Sequence, residues 1–314
     1  PPLAGAFKRQ ARLCAAATER WIMSYDPPHH IKNGYPREAR HGLDTYGLYS
    51  VYALNAATCL GLAALYADDA IEEAPCPADL GGYTLELTPA FHKFFASTAV
   101  AQIEIDTAAD LHYDATGLGR YTRRGVPIEL GVAMPFTPAS DMKYLLPDEQ
   151  KAETAAAIGP AWRIDDRWTA LAERSATLDV ACQVIEEQPN RVELAIDWRD
   201  EPAGVVVSER YALTDGELRI SASIADLAGE PLAPMRYIVP LLVTDGDATS
   251  DIEARPGHVT VNYRGATLAV TFADDLAFEI EDKPIANRSG LYRRLVVESA
   301  SADVAMRLAL TGSE

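Results

Sequence analysis

Apolar positions recur at helical spacing at the start of the chain and at period two beyond it. From Leu3 to Tyr25 the sequence is alanine-rich, with Phe7, Leu13, Ala17 and Trp21 spaced along one side of a helix. Asp26-Pro27-Pro28 stops that helix, because proline disfavours the α conformation before it and has no amide donor. A polar loop at 29–41 follows, and a second helix is expected from about Asp44 to Ala67, with Asp44 as its cap. Pro75, Pro77, Gly81 and Gly82 cluster between Ile71 and Gly82 and mark a boundary. After it, alternation predicts strands at Tyr83–Leu87, Ala99–Asp106, Ile128–Ala133 and Trp168–Arg174, then a dense series from Leu178 to Leu310. Thr214-Asp215-Gly216, Arg264-Gly265 and Asp274-Asp275 read as hairpin turns.

Many sequential strands joined by short turns describe a large antiparallel sandwich. Two helices alone bury too little to form a domain, so they either pack on the sheet or close a larger helical assembly. The second helix is apolar on nearly every side, which favours the assembly. The fold expected is therefore α+β: the C-terminal helices of an (α/α) toroid at 1–74, packed against a large antiparallel β-sandwich at 75–314. The stretch from Tyr46 to Ala67 is uncharged and long enough to cross a bilayer. It holds Ser50, Asn55 and Thr58, however, and is followed by Asp68, Asp69, Glu72 and Glu73 instead of basic residues. A buried helix of a soluble protein is expected, with no membrane span.

Composition changes this picture in one respect. The 314 residues carry a formal net charge of -18, with 24% charged and 48% hydrophobic residues. Such an acidic chain repels phosphate backbones and anionic lipid, so neither nucleic acid nor membrane is an expected partner. Cys14, Cys59, Cys76 and Cys182 form no CxxC motif and read as free thiols, with a Cys59–Cys76 bridge unsupported. The chain opens Pro1-Pro2-Leu3 without Met and reads as a fragment or processed form.

Against that acidity two acid-poor basic segments stand out. The loop 29–41 carries Lys32, Arg37 and Arg40 against Glu38 alone, together with His29, His30 and His41. The segment 117–125, read as a second loop, carries Arg120, Arg123 and Arg124 with no acid. Arginine suits bidentate capture of a carboxylate or sulfate; the plainer reading is that these side chains neutralise neighbouring acids. Between Asp106 and Arg120 lies a dense polar stretch in which His112 stands near Asp114, an arrangement suited to an oriented acid/base. A divalent metal held by His112 with Asp106 or Asp110 is conceivable but lacks a recognised ligand spacing, and the plainer reading is a polar turn. Tyr46, Tyr49 and Tyr52 share one side of the second helix, where tyrosines commonly pack in a core.

The run Tyr49-Ser50-Val51-Tyr52-Ala53-Leu54, in a helix that precedes an all-β region, resembles the heparinase II/III-like and oligoalginate lyase families. That resemblance implies a toroid-plus-sandwich protein, secreted or periplasmic, that cleaves uronate-containing polysaccharides by β-elimination. It implies Tyr49 as the proton-transferring tyrosine and His41 as its helper. His112-Tyr113-Asp114 would stand where those families carry a His-rich segment, and this sequence departs from the pattern in having no His-x-His pair. The expected partner is an anionic oligo- or polysaccharide, bound by Arg37, Arg40, Arg120, Arg123, Arg124, Tyr46 and Asp114, with Tyr49, His41 and His112 transferring protons. Two alternatives stay open. One is a glycoside hydrolase using carboxylates such as Asp44, Asp114 and Glu129; the other is a non-catalytic binding protein presenting Trp162, Trp168 or Trp198. The single-site reading expects 29–41 and 110–124 to converge on one cleft between the helical and β regions.

Overall fold

The computed structural model describes residues 3–23, 50–88, 90–131, 155, 157–246, 248–287 and 289–312. Strands take up about half of the described residues. The α-helices among the described residues are α1 (Ala4–Met23), α2 (Ser50–Leu65) and the one-turn α3 (Pro77–Leu80).

The strands fall into three antiparallel sheets. The first has the order β1-β2-β3-β4, from β1 (Tyr83–Glu86), β2 (Lys93–Ser97), β3 (Ala101–Asp106) and β4 (Gly117–Arg123). A hairpin of β5 (Gly159–Ile164) and β6 (Arg167–Ala170) comes next, followed by β7 (Leu178–Gln188), β8 (Arg191–Asp200), β9 (Val205–Thr214), β10 (Leu218–Asp226) and β11 (Met235–Thr244). The remainder are β12 (Asp251–Arg255), β13 (His258–Tyr263), β14 (Ala266–Phe272), β15 (Ala277–Ile280), β16 (Ile285–Asn287), β17 (Gly290–Ser299) and β18 (Asp303–Thr311). Eight strands form a sheet in the order β12-β13-β14-β18-β10-β9-β8-β7, and a six-stranded sheet runs β15-β17-β11-β5-β6 with β16 beside β17.

Period-two patterning explains the core. On the eight-stranded sheet Leu194, Ile196 and Trp198 of β8, Tyr211 of β9, Ile220 of β10 and Leu308 of β18 all point inward. They meet Met235, Tyr237, Val239 and Leu241 of β11 and Leu295 of β17 from the six-stranded sheet. The first sheet touches β7, β9 and β18, and its Phe94, Ile103, Ile105 and Tyr121 join the same apolar cluster. Burying each large side chain of this kind contributes about 1.5–3 kcal/mol. The β13–β14 turn uses Arg264 and Gly265 with φ of 47° and 77°, the left-handed conformation a two-residue hairpin requires.

Three expectations are corrected. The toroid end is not what the helices form: three antiparallel sheets dominate the described residues. An apolar composition makes α2 read as a buried toroid helix, yet its described side chains from Leu54 onward are nearly all exposed, with Leu54 at 66% and Leu65 at 72%. α1 instead engages the stretch 68–79 through polar contacts, Lys8 Nζ donating to the Asp68 and Ile71 carbonyls and Arg9 pairing with Asp79 at 3.1 Å. Second, Ile128–Leu130 form a turn, closed by a bond from Leu130 N to Pro127 O, instead of opening a strand. Third, the segment read as a second basic loop is largely β4, with Gly117 paired to Asp106 of β3 and Gly119 at the register shift between the Arg120 and Leu118 pairs. All four cysteines are free. Among the described residues no helix is long and apolar enough to cross a membrane.

Candidate functional site

The first sheet buries one face and leaves the other polar. Lys93 stands opposite Asp106 and Phe95 opposite Glu104, while Glu104 also faces Arg120 across β3 and β4. Alternation sends Phe94, Ile103, Ile105 and Tyr121 to the core and leaves Lys93, Glu104, Asp106 and Arg120 on the outer face.

Lys93 Nζ lies 3.2 Å from Glu104 Oε1, 2.5 Å from Asp106 Oδ2 and 3.1 Å from Asp114 Oδ2. An ammonium has three N–H donors, and here each faces a carboxylate. Lys93 and Asp106 are both buried. Burial alone would lower the Lys93 ammonium; the hydrogen bond to Asp106 and the charges of Asp106, Asp114 and Glu104 outweigh it and hold Lys93 above its usual value. Burial pushes Asp106 upward against the pull of Lys93. Arg120 stands on the other side of Glu104, its Nε 3.6 Å from Oε2 and its side chain 38% exposed.

The loop from β3 to β4 ends this face. Asp106 Oδ1 accepts from Ala108 N at 3.0 Å, Asp110 Oδ1 accepts from His112 N at 3.0 Å, and Asp110 O accepts from both Tyr113 N and Asp114 N at 2.8 Å. The turn is braced below by Ser175 Oγ donating to Ala109 O and by Ala109 N donating to Thr116 Oγ1. His112 and Tyr113 are thereby presented outward, both exposed, their ring centroids 6.4 Å apart. Asp114 turns back to Lys93.

The far end of the sheet holds a cleft of about 360 Å³ between α1, α3 and the first sheet, lined by Gln10, Ala78, Tyr83, Gln102, Thr122 and Arg124. Arg124 reaches Ala78 O at 2.9 Å. Arg123 reaches Asp215 O, in the turn between β9 and β10, at 3.1 Å. Arg123 and Arg124 thus lie at the opposite end of β4 from His112. The structure gathers Lys93, Glu104, Asp106, Asp114 and Arg120, with His112 and Tyr113 on the adjoining turn. Arg37, Arg40, His41, Asp44, Tyr46 and Tyr49 lie outside the described residues, and the expected convergence of 29–41 with 110–124 goes with them.

Sequence reasoning alone does not single out Lys93, Glu104 or Tyr113. Two signals point to the first two: the alternation Gln102-Ile103-Glu104-Ile105-Asp106 puts both acids on one face, and a lysine opens the apolar run Lys93-Phe94-Phe95. Among the described residues no group of three or more His, Cys, Asp or Glu is arranged to hold a metal ion. The point where Glu104, Asp106 and Asp114 converge is filled by the Lys93 ammonium.

The tryptophans and Glu129 lie away from this face. Trp162 and Trp198 are buried, and Trp168 is half-buried beneath the Arg236 guanidinium, 4.1 Å from its ring centroid. Glu129 is 8% exposed, its carboxyl raised by burial and by the charge of Asp245. Asp245 itself accepts from Tyr263 Oη at 2.5 Å and pairs with Arg264 at 3.1 Å.

No family model and no curated protein matches the sequence. Among solved structures the chain is similar to a heparinase III gene product, at 8% identity and a TM-score of 0.49, over 86% of this chain and 41% of that one. It is also similar to the alpha-N-acetylgalactosaminidase NagBb from Bifidobacterium bifidum in complex with GalNAc (11% identity, TM-score 0.44, 69% and 36% of the two chains). A third likeness is to an alpha-mannosidase from Enterococcus faecalis V583 (9%, 0.40, 77% and 31%). These likenesses are distant and transfer neither residues nor activity. This chain spans well under half the length of each of the three.

Proposed function

We propose that the chain belongs to a protein that processes a uronate-containing glycan by β-elimination, with the outer face of the first sheet and the turn at 110–114 as its site. The observation that carries the reading is the placement of an exposed His112–Tyr113 pair beside fixed charge, with Arg120 at the rim of a locked lysine–carboxylate cluster.

The chemistry assigns each part a task. Elimination needs the substrate carboxylate neutralised so that the adjacent C5 proton can leave; Arg120, its side chain 38% exposed and its Nε 3.6 Å from Glu104 Oε2, is the group for that task. A base takes the C5 proton, the C4–O bond breaks, a C4–C5 double bond forms, and the departing oxygen receives a proton. His112 and Tyr113 stand ready to take and give those protons, the tasks that the resemblance implies for Tyr49 and His41. Lys93 and its carboxylates position the turn through Asp114 and do not touch substrate.

Incubation of the full-length protein with a panel of uronans, read by absorbance of the unsaturated product, tests the reading. Growth of that absorbance is expected; a panel that yields none overturns it. A hydrolytic reading has one observation of its own, the carboxyl of Glu129, which burial and the charge of Asp245 raise, the direction that suits a general acid. Mass spectrometry separates the two, because hydrolysis adds one water.

A further inference from the structure

The outer face of the eight-stranded sheet carries an open groove of about 460 Å³ across β9, β10, β18 and β14, far from the His112 turn in sequence and on another sheet. Its floor is made of small side chains, Ala212, Ser221, Thr271 and Ala305, so the backbone is approachable along its length. Arg210, Arg219 and Arg307 rise from it, with side chains 57%, 67% and 49% exposed.

The charge placement is what calls for a ligand. Arg219 and Arg307 are direct cross-strand partners, an arrangement in which like charges destabilise a sheet. One carboxylate serves both: Glu217 is 2.5 Å from Arg219 Nε and 3.4 Å from Arg307 Nη1. Arg210, beside Ser221 on the next strand, shares Glu193 with Arg191 in the same way. Three arginines and no acid line the groove itself, in a chain of net charge -18, while Glu217 and Glu193 beside it are each shared between two arginines. The opposite end changes character. A continuation of about 280 Å³ is lined by Asp197, Ser208, Ser223 and Asp303, a row of hydroxyls and acids with Ser208 Oγ donating to Asp197 at 2.6 Å.

We infer that this groove binds an acidic oligosaccharide, its carboxylate or sulfate groups at Arg219 and Arg307 and its hydroxyls against Ser208, Ser223 and Asp197. Guanidinium forks suit oxyanions, and serine with aspartate suits sugar hydroxyls; a groove bearing both in sequence suits a chain bearing both. The inference rests on the reading of a uronate-containing glycan as substrate and adds a second, non-catalytic place where that chain is held, on a face separate from the turn at 110–114. Exposed ion pairs contribute little to stability, so Arg219 and Arg307 can exchange Glu217 for a ligand at small cost.

Isothermal titration of the full chain with a hexaguluronate and a heparin hexasaccharide, alongside neutral cellohexaose and hexaglutamate, tests this. Both acidic saccharides are expected to bind at least tenfold more tightly than either control, and added salt is expected to weaken them. The double variant Arg219→Gln/Arg307→Gln is expected to lose tenfold or more with an unchanged unfolding midpoint, while Glu217→Gln, which removes the competing carboxylate, is expected to tighten binding. Equal binding of cellohexaose, equal binding of hexaglutamate, or indifference to the double variant each overturns the inference. His112→Gln separates the two proposals: it is expected to stop turnover and leave this binding intact, so failure of the uronan assay and failure of the groove are read independently.

Discussion

Asp106 and Glu209 are both nearly excluded from water, at 4% and 2% exposure, yet they face different partners. Asp106 lies against the Lys93 ammonium at 2.5 Å, with Glu104 and Asp114 completing the shell. Glu209 sits between the large sheets and meets neutral donors, Trp198 Nε1 at 3.1 Å and Tyr237 Oη at 3.0 Å. Burial pushes the Glu209 carboxyl up to about 7, since neutral donors compensate only part of the desolvation. The difference separates two uses of a buried acid. The charged cluster lies under a polar, solvent-facing surface and fixes an exposed turn; the Glu209 cluster joins two sheets from inside and presents nothing outward.

The largest expected effect tests the charged half. Lys93→Met leaves three carboxylates without their cation and is expected to cost about 3–5 kcal/mol in urea unfolding at neutral pH, shrinking in acid as the carboxylates protonate. A loss below about 1 kcal/mol would show that the cluster does not depend on its lysine.

Glu209 tests the neutral half. Its folded value of about 7 stands above the ordinary 4.5, so the folded state holds the proton more tightly than the unfolded chain does. Stability is therefore full below about 4.5 and falls as pH rises through about 7, by about 3 kcal/mol in all. Glu209→Gln is expected to remove that fall, read as unfolding midpoints across the range. An unchanged slope would assign it to another group.

The surface pair Arg9–Asp79, each residue half-buried, supplies the limiting case. Arg9, first, and the Cys76 thiol hold Asp79 well below the usual carboxylate range, but the pair lies at the surface with its side chains 39% and 20% exposed. Arg9→Ala is expected to leave the unfolding midpoint unchanged and only to speed amide exchange in α1. A lowered midpoint would mean that α1 belongs to the cooperative core.

The β-rich part is legible in the sequence because alternation is a local signal. β13 and β14 lie within the dense series expected from Leu178 to Leu310, and the turn between them is the Arg264-Gly265 pair read as a hairpin. β4 escapes such a reading because Gly117, Gly119 and three arginines look like a loop; pairing with β3 overrides that propensity. α2 misleads because apolar composition says that a helix can be buried, not that a partner is present. At the site, His112, Asp114 and Arg120 are visible as a polar stretch, whereas Lys93 comes from another strand and is joined to them only by register. Arg123 and Arg124 share a sequence run with Arg120 but not a location, since alternation turns Arg123 inward and Arg124 bonds α3.

The most direct measurement compares wild type, His112→Gln and Tyr113→Phe in the full-length protein, following the unsaturated product from a uronan continuously by absorbance. The account predicts that both variants lose about a hundredfold or more in turnover while unfolding at the wild-type midpoint, because each removes a proton-transferring group from an exposed turn and nothing from the core. Wild-type turnover in both variants would contradict the assignment of the site to the outer face of the first sheet.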